Sequence, residues 1–191
     1  MIERGGALMT WTPTIQSCDS YLGDRTGKYE FRAVRYRAAA DWLTASGLNN
    51  DMTLVDVGAG MTELDYCLRA EYGWRGRYIP VDGGIDGVNL NDWTPPREAH
   101  FFVALEIIEH LSNWRDLIER MQEKALIGVV MSTPNPRTTD VIGMDPTHVV
   151  EVFSKDLEPY AFQVSEQTFY GGVLSDGEPD ALFATWRHRP E

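Results

Sequence analysis

Thr53-Leu54-Val55-Asp56-Val57-Gly58-Ala59-Gly60-Met61-Thr62-Glu63 is the stretch on which the rest of the chain is organised. It opens as a short apolar run, Leu54 to Val57, with Asp56 as its one charge. It breaks at Gly58-Ala59-Gly60 and continues from Thr62 in a pattern that predicts a helix. Strand, glycine turn and helix form the opening unit of a doubly wound α/β sheet. Gly58 and Gly60 suit a turn that needs unusual backbone angles and no Cβ where a ligand approaches. The strand's carboxyl end and the helix's amino end meet there, which is where such sheets bind ligands.

Two ligand classes use such a turn. Dinucleotide folds need G-x-G-x-x-G, so that a pyrophosphate rests on the helix N-terminus. Here the third position is Glu63, and its carboxylate would repel a diphosphate. S-adenosylmethionine carries a sulfonium, an ammonium and a carboxylate but no phosphate. Asp56 and Glu63 suit that cation better. A glycine turn with no ligand reads the same in isolation, so the rest of the chain must decide.

The 191 residues fit one domain with a proper core. The formal charge of −12 argues against a broad nucleic-acid footprint, which needs a basic surface. It leaves room for a local basic groove from Arg32, Arg35 and Arg37. The two cysteines, Cys18 and Cys67, make neither a metal spacing nor a disulfide framework, and a reducing cytoplasm is the simple reading. No apolar stretch is long enough to span a bilayer. Met1 to Met9 lacks the apolar core of a signal peptide; fraying is expected there, and Met9 is an alternative start.

Residues up to about Lys28 carry no clear period. Tyr29 to Ser46 reads as a helix, with Phe31, Val34, Ala38, Trp42 and Ala45 as its core face and Gly47 as C-cap. Arg77 to Asp82 reads as the second strand. Asp82 stands at the distance past the glycine turn where such folds place a ribose-binding carboxylate. A turn aspartate before Gly83-Gly84 is the competing reading. Val88 to Leu90 reads as a short third strand and His100 to Leu105 as a fourth, buried on both faces. Trp114 to Lys124 is a helix capped by Ser112 or Asn113, and Ala125 to Met131 a fifth strand. A short helix follows from Ser154 to Tyr160. Phe162 to Tyr170 and Ala181 to His188 form a closing antiparallel hairpin.

Four pieces stand in a fixed order: Val55-Asp56-Val57-Gly58-Ala59-Gly60, Tyr78-Ile79-Pro80-Val81-Asp82, Val103-Ala104-Leu105-Glu106-Ile107-Ile108-Glu109-His110-Leu111 and Met131-Ser132-Thr133-Pro134-Asn135. Together they resemble the class I S-adenosylmethionine-dependent methyltransferases, from about Tyr29 to the C-terminus. Thr62 stands where many members have a third glycine, and Asn89 where many have Asp. The resemblance implies S-adenosyl-L-methionine as cofactor. Gly58, Ala59 and Gly60 would pass its methionine moiety, with Asp56 near the ammonium. Asp82, followed by Gly83, would hold the ribose hydroxyls. Asn89 and Leu90 would frame the adenine, and Leu105 and Glu106 would lie beside the sulfonium.

Glu106 to Leu111 is expected to make a helical turn and a half. At helical spacing Glu106, Glu109 and His110 share one arc, while Ile107, Ile108 and Leu111 share the opposite one. Three readings stay open. His110 or His148 is a general base. Alternatively, Glu106, Glu109, His110 and His148 bind a divalent cation (Mg, Mn or Fe) that also grips vicinal oxygens of the acceptor. That pattern resembles small-RNA 3′-terminal 2′-O-methyltransferases and ubiquinone-pathway O-methyltransferases. In the third reading Glu109 and His110 only satisfy backbone near a helix end.

The expected architecture is a Rossmann-like α/β domain over 29–191, with a seven-stranded, mostly parallel sheet and an antiparallel C-terminal hairpin. Residues 1–28 and the loop Pro136–Val149 are expected to build the acceptor site. The expected activity is O-methylation of a small molecule. Metal-dependent 2′-O-methylation of an RNA 3′ end and a non-catalytic cofactor-binding domain are the alternatives. An NAD-type dehydrogenase is disfavoured by Glu63.

Overall fold

A computed structural model of the chain describes residues 25–189. The expectations for residues 1–24, Cys18 included, lie outside them. The elements run α1 (Arg25–Ala45), β1 (Thr53–Val57), α2 (Glu63–Ala70), β2 (Arg77–Val81), α3 (Gly83–Asp86), β3 (Ala99–Leu105), a 3₁₀ turn (Ile108–His110), α4 (Trp114–Lys124), β4 (Ala125–Pro134), α5 (Val141–Met144), α6 (Ser154–Leu157), β5 (Gln163–Gln167) and β6 (Ala181–Arg187). Among the described residues no helix is long and apolar enough to cross a membrane.

The strands form one sheet in the order β2-β1-β3-β4-β6-β5. β1 pairs in parallel with β2 and β3, and β3 with β4. β6 runs antiparallel to both β4 and β5. The chain moves outward from β1 to β2, then returns to the other side of β1 as β3. That reversal opens a crevice at the carboxyl ends of these strands. One apolar cluster joins Leu43, Leu64, Leu68 and Phe101 on the α1/α2 face. Another joins Trp114, Leu117, Ile118 and Phe102 on the α4 face. β3 contributes to both, as the continuous apolar run predicted.

Four expectations are corrected. The sheet has six strands among the described residues, not seven. Val88–Leu90 is not a strand, because the Asn89 side chain accepts from the amide of Asn91 (3.2 Å) and donates to Asp92 (2.7 Å). Such local side-chain bonds pull backbone away from a ladder. β2 is therefore the sheet edge, where its Pro80 is tolerated.

The period of α1 is helical, but its buried face is Ala33, Tyr36, Ala40 and Leu43, while Val34 is 49% exposed. Alanines let α1 lie close to the sheet, and Trp42 packs partly buried beside that face. Finally, Ser112 and Asn113 do not cap α4 with their side chains; the Asn91 side chain accepts from Asn113 N (2.9 Å) instead.

Candidate active site

The glycine turn is pinned on both sides. Gly58 N and Ala59 N both donate to Val81 O, at 2.7 and 3.2 Å, which joins the end of β1 to the end of β2. Gly58 has φ 74°, and a Cβ there would stand 2.0 Å from Ile107 Cδ1. The position therefore needs glycine for backbone and for space. Gly60 N donates to Asp82 Oδ2 (2.9 Å) and Gly84 N to Asp82 Oδ1 (2.8 Å). These bonds aim the carboxylate at the turn. Thr62 follows in the left-handed region at φ 64°.

Asp56 forms the floor beneath this turn. It is 5% exposed and accepts from the Tyr78 hydroxyl. Burial pushes its carboxyl up to about 7; the Tyr78 bond works the other way without cancelling it.

Glu106 is the hub of the far wall. It does not belong to a helical arc with Glu109 and His110, because its φ is 56° and the 3₁₀ turn starts only at Ile108. Its carboxylate accepts from Ser132 Oγ (2.6 Å) and from the Tyr170 hydroxyl, with Arg35 Nη1 at 4.0 Å. Burial opposes the charge of Arg35, but Tyr36, Glu106 and Tyr170 more than offset it, so the guanidinium stays protonated. Ile107 keeps its expected contact with the α4-side core, but it also lies against Gly58 and lines the cavity.

Tyr170 reaches the hub from the loop between β5 and β6. That loop is built around Asp180, which is fully buried and accepts from the amides of Phe169 (2.6 Å), Tyr170 (3.1 Å) and Gly172 (2.9 Å). Asn135, last of the Ser132-to-Asn135 motif, clamps the loop to the end of β4. Its amide donates to Asp180 O (3.0 Å) and its side chain to Pro179 O (3.1 Å). Arg35, Tyr36 and Tyr170 were not singled out as site residues from the sequence. The Arg32-to-Arg37 run was read only as a surface groove. Arg32 and Arg35 line the cavity, whereas Arg37 pairs with Glu71 at 2.6 Å.

Glu109, His110 and His148 form the third wall. One ligand atom from each lies within 4.8 Å of those of the other two, and Glu106 is not part of this group. His110 Nε2 stands 4.0 Å from Glu109 Oε1, and the two imidazole centroids are 4.6 Å apart. His148 Nδ1 lies 2.6 Å from Val141 O, which can only accept, so the neutral ring carries its proton on Nδ1 and keeps a bare Nε2. Burial, then the neighbouring His148, hold His110 below the ordinary imidazole range.

Glu109 is 1% exposed, and neither of its carboxylate oxygens, nor the Thr133 hydroxyl, has a hydrogen-bond partner within 3.5 Å. Burial, then the charge of Glu106, drive its carboxyl well above the usual carboxylate range. Among the described residues five buried side-chain polar atoms are orphaned, and four of them belong to Arg35, Glu109 and Thr133. Orphans gathered at one place mark a site shaped for a further group.

These walls enclose a cavity of about 390 Å³, within the range for small-molecule sites. Of the residues expected from the sequence, Asp56, Gly58, Ala59, Asp82, Leu105, Glu106, Glu109, His110 and His148 line it. Gly60 reaches it through its bond to Asp82. Gly83, Asn89 and Leu90 are not in the lining; Asn89 is exposed and Leu90 is packed in the α4-side core.

No protein-family model and no curated protein sequence matches the chain. Solved structures do match its fold. A S-adenosylmethionine-dependent methyltransferase from Archaeoglobus fulgidus superposes with a TM-score of 0.62 at 17% identity, covering 88% of this chain and 99% of that one. The magnesium protoporphyrin IX methyltransferase of Synechocystis, solved with bound S-adenosylhomocysteine, gives 0.54 at 12% identity over 86% and 85%. The [4+2]-cyclase SpnF gives 0.54 at 12% identity over 81% and 82%. The chain has the Rossmann-like α/β fold of the S-adenosylmethionine-dependent methyltransferases.

Proposed function

We propose that this chain is a S-adenosylmethionine-dependent methyltransferase that O-methylates a small molecule, with a divalent cation held by Glu109, His110 and His148. The orphaned, buried Glu109 carboxylate beside two imidazoles, in the same cavity as the glycine turn, carries this reading. The fold alone would not, since one fold hosts many reactions.

S-adenosylmethionine supplies the methyl group on its sulfonium. Gly58 and Gly60 let the backbone approach the methionine part, and Asp56 and Glu63 offer negative charge to its ammonium. Asp82, its carboxylate already aimed by Gly60 and Gly84, accepts from the ribose hydroxyls. The adenine would then lie past Asp82, along the Asn89–Leu90 turn. Glu106, fixed by Ser132 and Tyr170, would stand with Leu105 on the methyl side of the bound cofactor. Transfer needs alignment and exclusion of water more than covalent help from the protein.

The donor set fits a cation. One carboxylate and two imidazoles on one side of a cavity suit Fe or Mn better than Mg. A cation there would bind adjacent oxygens of the acceptor and lower the pKa of the attacking hydroxyl. Burial leaves Glu109 favouring its neutral form, and coordination would restore its charge. Without a cation, the bare Nε2 of His148 can still accept the hydroxyl proton.

A small acceptor is favoured over an RNA end by the segment that carries His148. Residues 140–153 contain Asp140, Asp145 and Glu151 but no Lys or Arg, and expose Ile142, Met144, Val149 and Phe153. That surface offers no track for phosphates. The test is transfer of labelled methyl to a panel of vicinal diols, phenols and RNA 3′ ends, with and without chelator. Labelling of a small diol or phenol that chelator abolishes and Mn or Fe restores supports the reading. Labelling of RNA alone would replace the acceptor class, and full turnover in chelator would remove the cation.

A further inference from the structure

The Asp145-Pro146-Thr147-His148 turn does more than deliver His148. The Thr147 hydroxyl lies 2.6 Å from Asp145 Oδ1, and the Thr147 amide donates to the same oxygen at 2.8 Å. An ionised carboxylate only accepts, so the single hydroxyl proton of Thr147 goes to Asp145. The Thr147 oxygen also stands 2.9 Å from His110 Nδ1. With its proton committed, that oxygen can only accept, and Nδ1 must be the donor. The Thr147 carbonyl, at 3.3 Å, is a longer and weaker second acceptor for the same proton. His110 therefore carries its proton on Nδ1, although histidine in water favours the Nε2–H form.

We propose that Thr147, oriented by Asp145, is a positioning residue that fixes His110 as the Nδ1–H tautomer and turns its bare Nε2 toward Glu109 and His148. His148 is set in the same tautomer by a separate acceptor, Val141 O. The turn is stitched to the 3₁₀ segment by the amides of Val149 and Val150, which donate to Glu109 O at 2.9 and 3.3 Å. His110 then presents its bare Nε2 to Glu109 Oε1 at 4.0 Å, with His148 in the same cluster. This deepens the function proposed above and rests on that reading in one respect, that His110 acts through Nε2. Partners behind a ligating histidine that fix its tautomer change metal affinity on the order of 10- to 100-fold.

The tautomer is read directly by long-range ¹H–¹⁵N correlation on the full chain at pH 8. The sequence has four histidines, so the signals separate. In the wild-type chain His110 and His148 should both show a protonated Nδ1 and a bare Nε2. Thr147→Val should shift His110 toward Nε2–H while leaving His148 unchanged, and Thr147→Ser should keep the wild-type pattern. Asp145→Ala frees the hydroxyl proton, so Thr147 can donate to Nδ1 and His110 should again shift. This arm decides the matter if Thr147→Val disturbs His148 as well. Affinity for Mn should fall about tenfold in Thr147→Val and recover in Thr147→Ser. Nε2–H in wild-type His110, or a tautomer unmoved by both Thr147→Val and Asp145→Ala, would overturn the proposal. Failure of S-adenosylhomocysteine to bind would instead remove the function and leave the tautomer result standing.

Discussion

The Tyr170 hydroxyl donates to the Glu106 carboxylate across 64 residues of sequence, and Asp180 holds the loop that brings it there. This bond joins the closing hairpin to the end of β3, beside the glycine turn. The hairpin is thereby part of the site and not only the edge of the sheet.

Asp180→Ala would leave the amides of Phe169, Tyr170 and Gly172 without their acceptor in a fully buried place. The expected loss in urea unfolding is about 3 kcal/mol or more. Tyr170→Phe removes only the hydroxyl and should cost about 1–2 kcal/mol, with the fold kept by circular dichroism. An Asp180→Ala protein within about 1 kcal/mol of wild type would show that the loop is held by other means.

Asp56 predicts a pH dependence. Its folded value near 7 lies above the ordinary 3.8. Between these values the unfolded chain releases the proton while the folded chain retains it, so stability falls as pH rises through that window and levels off above it. The full effect is on the order of 4 kcal/mol. Glu109, also raised, acts in the same direction. Urea unfolding from pH 4.5 to 8 should show a clearly shallower decline in Asp56→Asn than in wild type. Equal slopes would place the Asp56 titration elsewhere.

Thr62 is a β-branched residue in the left-handed region, a conformation that costs a non-glycine side chain about 1–2 kcal/mol. Thr62→Gly relieves that strain and gives back part of the gain as backbone entropy. A net gain of about 1 kcal/mol should raise Tm by about 2–4 °C in scanning calorimetry. A lower Tm would mean that the Thr62 side chain holds the turn in some other way.

What the sequence disclosed follows from the range of each signal. β1, the glycine turn, the acid ending β2 and α4 are set by residues close in the chain, and all were readable. Val88–Leu90 was misread because three residues cannot separate strand alternation from a turn, and the Asn89 side chain decided it. Glu106 was grouped with Glu109 and His110 on the assumption of regular helix, which its left-handed backbone breaks. Arg35 and Tyr170 arrive at Glu106 from distant elements, and no local period encodes such a meeting. The orphaned state of Glu109 is likewise a property of packing.

Titration calorimetry with S-adenosylhomocysteine, with NAD as the control, tests the central claim most directly. The wild-type chain should bind one S-adenosylhomocysteine and give no heat with NAD. Asp82→Ala, which removes the carboxylate held by Gly60 and Gly84, should weaken that binding about 10- to 100-fold, the scale of hydrogen bonds to a charged group. Binding of NAD without S-adenosylhomocysteine, or an affinity that Asp82→Ala leaves unchanged, would contradict the account.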